Sequence, residues 1–234
     1  MAKNTFGKNY RNKAELIDAN KAYSLADAAA LAVQIAPAKF DETVELHVSL
    51  GIDITKADQM LRSTITLPEG TGKTLRVVAF VEEDKAADAI AAGAIKAGSD
   101  ELIAEVANGF TDFDVAIATP TMMKQLGKIA RVLGPKGLMP NPKAGTVSPD
   151  PIKAVTESLG GKVEYRADKF GITHNGIGKV SFGGDRILAN AKTLMDAIVT
   201  NKPSGSKGTY IKSITLTTTM GPSISIDTKE FTKQ

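Results

Sequence analysis

The period of the apolar positions changes three times along the chain. Over residues 25–36 apolar side chains recur at helical spacing. Ser24 supplies a hydroxyl N-cap, Asp27 an acid at the third position, and Pro37 a stop. Residues 43–50 then alternate strictly. Val44, Leu46, Val48 and Leu50 point one way and Thr43, Glu45, His47 and Ser49 the other, which predicts a strand with one buried face. From Leu75 the run LRVVAFVE is continuously apolar, as in a parallel strand covered on both sides. An alanine-rich stretch over 84–97 predicts a helix, followed by a second from Ser99 to a stop at Gly109. The apolar FDVAIAT predicts another strand, and a further helix opens at Thr119-Pro120.

Alternation returns after Gly160-Gly161. KVEYRAD and the segment around GITHN predict a hairpin turning near Lys169. FGGDRILANAKTLMDAIVTNKP is an amphipathic helix with Ile187, Leu188, Ala191, Leu194, Ile198 and Val199 on one face, and the strands TYIKSITLTTTMG and SISID follow. The two ends therefore share one texture, and the middle has the strand–helix alternation of a doubly wound α/β unit. This predicts an α/β protein of two domains. A discontinuous one comprises 1–67 and 160–234, and 68–159 is inserted between its halves. The crossings LPEGTG and LGGK both contain glycine and suggest a hinge. A single larger sheet is the alternative.

Composition narrows the chemistry. The 234 residues contain no cysteine and no tryptophan, so disulfides, thiolate metal sites and thiol nucleophiles are excluded. With only His47 and His174, far apart in sequence, no histidine metal cluster is expected, and no cofactor. No apolar stretch approaches the roughly 18 residues of a membrane span. The basic start MAKNTFGKNYRNK lacks the apolar run of a secretory signal, and Glu15 and Asp18 argue against a transit peptide. The net charge of +3 is unevenly spread: 0 over residues 1–66, −2 over 67–158 and +5 over 159–234. Between Val115 and Pro149 lie Lys124, Lys128, Arg131, Lys136 and Lys143 and no acid. Inside that span LGPKGLMPNPKAGTV has three prolines and three glycines, which predicts an ordered, non-repetitive loop. Such unevenness points to an anionic partner.

In the last long strand, alternation places Ile211, Ser213, Thr215, Thr217 and Thr219 on one side and Tyr210, Lys212, Ile214, Leu216 and Thr218 on the other. Together with the wet face of 43–50, this is a sheet surface of short hydrogen-bonding side chains, which a nucleic-acid backbone can approach closely. Lys39, Lys169, Lys179, Lys207 and Lys212 on neighbouring segments would attract phosphate. The bland reading is that threonine is a good strand former facing water. Met220 before Gly221, and Phe40 before the first strand, are candidate apolar contacts, with core burial as the alternative. EGTGKT ends like a phosphate loop, but Leu67 stands where the motif needs glycine and the lysine precedes a strand. It reads better as a hinge segment. There is no G-x-S-x-G elbow and no paired-carboxylate cleft signal.

Four segments, in order and spanning nearly the whole chain, are KFDETVELHVSLGID, ARVLGPKGLMPNPKAGTV, YRADKFGITHNGIGK and TTTMGPS. Through them the sequence resembles the L-one family of large-subunit ribosomal proteins, in its bacterial form. It departs from the family pattern at Met60, Ser63 and Ala167. The resemblance implies a split α+β sandwich built from both termini and an inserted Rossmann-like three-layer domain. It implies binding to the mobile stalk of the large-subunit rRNA beside the exit site for deacylated tRNA. It also implies repression of the protein's own mRNA, a cytoplasmic location on the ribosome, no enzymatic activity and a monomer when free. Carried over by motif, the RNA contacts are Lys39, Phe40, Thr43 and Glu45; Lys169, His174, Gly178 and Lys179; and Ser213, Thr215, Thr217, Thr219, Met220 and Gly221. Lys136 and Lys143 are candidates for a second RNA surface facing tRNA or further stalk rRNA; an ordered helix–strand connection is the bland alternative. The rival from another class is a nucleotide- or phosphate-binding α/β enzyme using the middle segment.

Overall fold

The structure, a computed structural model, describes residues 7–231, so the first six residues of the basic N-terminal segment lie outside it. The chain divides into two compact units, residues 1–72 with 163–234 and residues 73–162.

In chain order the elements are α1 (Lys8–Ala14), α2 (Leu25–Ile35), β1 (Thr43–Leu50) and β2 (Arg62–Thr66). They continue with β3 (Val77–Phe80), α3 (Glu83–Ala91), β4 (Lys96–Gly98), α4 (Asp100–Ala107) and β5 (Val115–Ala118). Next come two short helices, α5 (Met123–Leu126) and α6 (Ala130–Leu133), then α7 (Pro151–Leu159) and β6 (Lys162–Arg166). The chain finishes with β7 (Ile172–Lys179), α8 (Gly183–Thr200), β8 (Ile211–Thr218) and β9 (Ile224–Ile226).

In the first unit, β1 sits centrally in a sheet of order β7-β1-β8-β9, and all of its pairings are antiparallel. Its burial alternates perfectly, with Val44, Leu46, Val48 and Leu50 in the core. Helices α2 and α8 pack together under that face through Ala28, Ala29, Ala32 and Ile35, and Ile187, Ala191, Leu194 and Ile198. Ser24 caps α2 by accepting the Asp27 amide at 3.1 Å. Asn190, wholly buried in α8, is fully used: its Nδ2 donates to the carbonyls of Ile177 and Gly70, and its Oδ1 accepts the Glu69 amide. A buried amide is stable only when its partners are present.

The second unit has a three-stranded parallel sheet of order β4-β3-β5. Strand β3 is buried at every position, as its continuous apolar run requires. Three expectations change, two in this unit and one in the first. The helix expected over 84–97 ends at Ala91, and Lys96–Gly98 form the edge strand β4; alanine and glycine carry no period that separates the two states. The helix expected from Thr119-Pro120 breaks into α5 and α6 with a tighter turn between them. The predicted hairpin around Lys169 is a tight turn with one bridge, Ala167 to Thr173, beyond which the strands part. Strand β6 joins β2, and β7 joins β1.

Candidate nucleic-acid interface

The outward face of the four-stranded sheet is a lattice of short polar side chains in register. At one end Lys179 of β7 lies opposite Thr43 of β1. Thr43 donates its amide to Thr219 Oγ1 at 3.0 Å and accepts the Thr219 amide at 3.1 Å. The next row is Gly176, Glu45 and Thr217; the next is His174, His47, Thr215 and Ser225; the last includes Ser49 opposite Ser213.

Two β-bulges set this face. Where Val44 pairs with Gly178 but Glu45 with Gly176, Ile177 is the extra residue. Lys179 thereby shares a face with His174, from which simple alternation would separate it. In β8 the extra residue is Lys212, because Ser49 pairs with Ser213 and Leu50 with Ile211. The bulge corrects the strict alternation read from sequence: Ile211 is buried and Lys212 is exposed beside Ser213.

The remaining residues of the first unit border this lattice. Lys39 and Phe40 are exposed in the loop before β1. Lys169 is exposed in the turn before β7, its ammonium 5.1 Å above the ring of Phe170. Met220 is exposed just after β8, and Gly221 closes the turn by donating its amide to the Thr218 carbonyl at 3.2 Å. A Cβ at Gly221 would stand 2.3 Å from Thr218 Oγ1, so only glycine fits that turn. Lys136 and Lys143 belong to the second unit, and the other fourteen candidates to the first.

Several ionisable groups of the lattice are held by neighbours. Lys179 Nζ donates to Thr43 Oγ1 at 2.9 Å. Asp41 accepts the hydroxyl and amide of Ser181, which hold its carboxyl below the ordinary range. The two histidines, 127 residues apart in sequence, meet with their Nδ1 atoms 2.9 Å apart. His47 Nε2 lies 3.6 Å from Glu45 and His174 Nε2 lies 3.5 Å from Asp168. Burial, and then the neighbouring His174, lower the His47 pKa from its ordinary value. Asp168 is held low by the amide of Ile172 and then that of Phe170. Among the described residues no group of three or more metal-ligating side chains occurs, and no helix is long and apolar enough to cross a membrane.

Sequence reading placed His47 on the wet face without counting it among the contacts, and it missed Asp168, the 71 % exposed Phe170 and the buried Glu42 behind the face. The 69–74 segment has glycines at φ 66° and 71° and leads into β3, unlike a phosphate loop, which leads into a helix. In the second unit Lys124, Lys128, Arg131, Lys136 and Lys143 are all exposed, and none forms an ion pair among the described residues. The rigid loop is anchored by Asn141 and Thr146, which bond each other, and by a parallel bridge between Val147 and Ala118.

The model of the ribosomal protein L1p/L10e family matches residues 32–222. The chain belongs to that family. A relative from Macrococcus caseolyticus, "Large ribosomal subunit protein uL1", is 51 % identical over 96 % of this chain and 97 % of its own. Proteins of the same description from Saccharopolyspora erythraea and Flavobacterium johnsoniae are 52 % and 51 % identical. These alignments cover 97 % and 98 % of this chain, and 94 % and 99 % of theirs. The L1p/L10e membership makes the chain a non-enzymatic ribosomal protein with a mixed α/β fold, and the nucleotide-dependent enzyme falls away as an alternative.

Proposed function

We propose that this structural constituent of the large ribosomal subunit binds the mobile stalk of the large-subunit rRNA through the hydroxyl face of its first unit. The observation that carries this is the row structure of that face. Thr43, Thr217, Thr215, Ser213 and Ser49 stand in register on adjacent strands and offer donors and acceptors with little bulk. Such a surface lets ribose 2′-hydroxyls and phosphates approach the sheet, while Lys39, Lys169 and Lys179 at its border supply attraction. In this reading 1–67 with 160–234 is the RNA-binding domain and 68–159 a mobile inserted domain. The chain works in the cytoplasm on the ribosome and is monomeric when free. The inserted domain presents Lys136 and Lys143 to tRNA and assists release of deacylated tRNA from the exit site. A stalk-like structure in the protein's own mRNA leader would engage the same face, giving repression of translation.

Filter-binding titration of the full chain against a stalk rRNA fragment at two salt concentrations tests the reading. The expected result is tight binding whose affinity falls steeply with salt, as several neutralised phosphates require. Binding no tighter than that of an unrelated basic protein would refute it.

A further inference from the structure

We infer that the open edge of the parallel sheet in the second unit takes an extended, lysine- or arginine-rich segment of a partner protein as an added strand. The inference goes beyond the RNA reading above and does not rest on it. Strand β4 ends the sheet order β4-β3-β5, and no bridge joins its outer side to any described residue. The opposite edge is closed, because Val147 bridges to Ala118 of β5. A bare edge presents unpaired N–H and C=O groups to any chain that can lie beside it. Strand β4 is half-buried at each of its three positions, whereas β3 next to it is buried throughout. Helices α3 and α4 line a cleft of about 570 Å³ together with β4. Ile90 and Ile95 in its lining are 51 % and 53 % exposed, which marks a contact surface and not a core. Edges are commonly blunted by proline, by a bulge or by a free lysine. Residues 82–114 contain no proline, and β4 pairs with β3 in unbroken register. The one lysine of the strand, Lys96, is engaged: its Nζ donates to Glu105 at 2.6 Å and lies 4.5 Å from the centre of the Phe110 ring.

The occupant follows from charge. Residues 82–114 hold nine acids and two lysines, the reverse of the acid-free stretch that follows them. Glu83, Glu101 and Glu105 line the cleft itself. Of these Glu105 is matched by Lys96, while Glu83 and Glu101 are exposed and form no ion pair among the described residues. A phosphate backbone is repelled by such a lining, so this is the one part of the unit that turns RNA away. An extended segment in which cations alternate with small apolar residues meets all three features. Its main chain pairs with β4, its cations reach the free carboxylates of α3 and α4, and its apolar side chains cover Ile90 and Ile95.

The test titrates the full chain into a labelled peptide of alternating lysine and valine and follows fluorescence anisotropy. A counterpart methylated at every peptide nitrogen keeps the charge but cannot donate to a strand. The unmodified peptide should bind at least about tenfold more tightly, as the loss of main-chain hydrogen bonds requires. Glu83→Gln with Glu101→Gln should weaken it about threefold to tenfold, and the surface variant Ile95→Lys by at least as much. In amide NMR spectra the peptide should shift residues 95–99 most, and the same variants should leave affinity for a stalk rRNA fragment within about twofold. Equal binding of the two peptides would reduce the interaction to diffuse charge and overturn the inference. So would shifts centred away from residues 95–99, or equal binding of a peptide alternating glutamate and valine. Self-association of the chain that the peptide competes away would assign the edge to a second copy. A stalk rRNA fragment that shifts the amides of 95–99 would assign it to RNA, and either result overturns the inference.

Discussion

In the proposed reading the sheet face of the first unit and the acid-free stretch of the second would attract RNA by opposite means. The face holds its ionisable groups in fixed positions: Lys179 bonds Thr43, Asp41 bonds Ser181, and the histidines meet each other beside carboxylates. What it offers is register, with donors and acceptors at fixed strand spacings on a rigid sheet. The stretch over 115–149 offers five exposed cations on two broken helices and a stiff loop. Charge of that kind supplies affinity without sequence or shape information, whereas a registered polar surface supplies discrimination. The first should behave as a specific site and the second as a salt-sensitive one.

The strongest way to break this contrast is to add charge to the face. Thr217→Arg places a cation in the middle of the lattice, opposite Glu45 and one row from Thr215 and Ser225. If geometry governs, the bulk of arginine lifts the RNA off the rows, and stalk affinity should fall about a hundredfold despite the extra charge, a loss of roughly 2.7 kcal/mol. Tighter binding in filter assays would show that attraction alone drives the interaction. A milder version removes two hydroxyls with Thr215→Ala and Thr217→Ala. At about 1 kcal/mol for each lost hydrogen bond, affinity should drop roughly tenfold or a little more. The slope of log affinity against log salt should not change, because no phosphate partner is removed.

The two regions also differ in how much of them could be read from the chain. The inward period of β1 is unambiguous, and the threonine run of β8 was legible residue by residue from Ser213 onward. The bulges at Ile177 and Lys212 were not, since an extra residue in a ladder is a property of two strands and leaves no mark on either alone. The meeting of His47 with His174 has the same origin: it depends on the pairing of β1 with β7 and not on local pattern. Glu42 was hidden for another reason. An acid at the edge of a strand normally faces water, and only the two amides of Ala38 and Met220 make its burial tolerable. In the second unit, α7 was not predicted although it carries an Asp150 cap and Pro151 in its first turn, whereas the three-residue β4 has no such signal.

The stretch over 115–149 is tested by Lys136→Ala with Lys143→Ala. Lys136 donates to the Thr111 hydroxyl, a neutral partner that leaves its charge available. The double variant should weaken tRNA binding by about fivefold to tenfold at moderate salt and reduce the salt slope by up to about two. Affinity for the stalk fragment should stay within about twofold. Unchanged tRNA binding would leave the loop as an ordered helix–strand connection and nothing more. Loss of stalk affinity of the same size would erase the distinction between the two surfaces.

The smallest effect concerns the one titrating element on the face. His47 is harder to protonate in the folded protein than its ordinary value of about 6.5, first because it is partly buried and then because His174 stands against it, with Glu45 opposing both. The unfolded chain therefore binds the proton more readily, so stability is full above the ordinary histidine value and declines as pH falls below it. Melting temperatures taken at pH 7.5 and pH 5.5 should show a small drop that shrinks in His47→Gln. The Asp168 carboxylate beside His174 titrates far lower, because the Ile172 and Phe170 amides hold it charged, so it stays a constant partner across this window. RNA reverses the direction. A phosphate laid along the row that holds His47 and Thr215 favours protonated His47, so stalk affinity should rise modestly over the same pH interval in which the free protein weakens. If His47→Gln leaves both slopes unchanged, the pair is a structural contact of the sheet, and the face reads RNA through its hydroxyl rows alone.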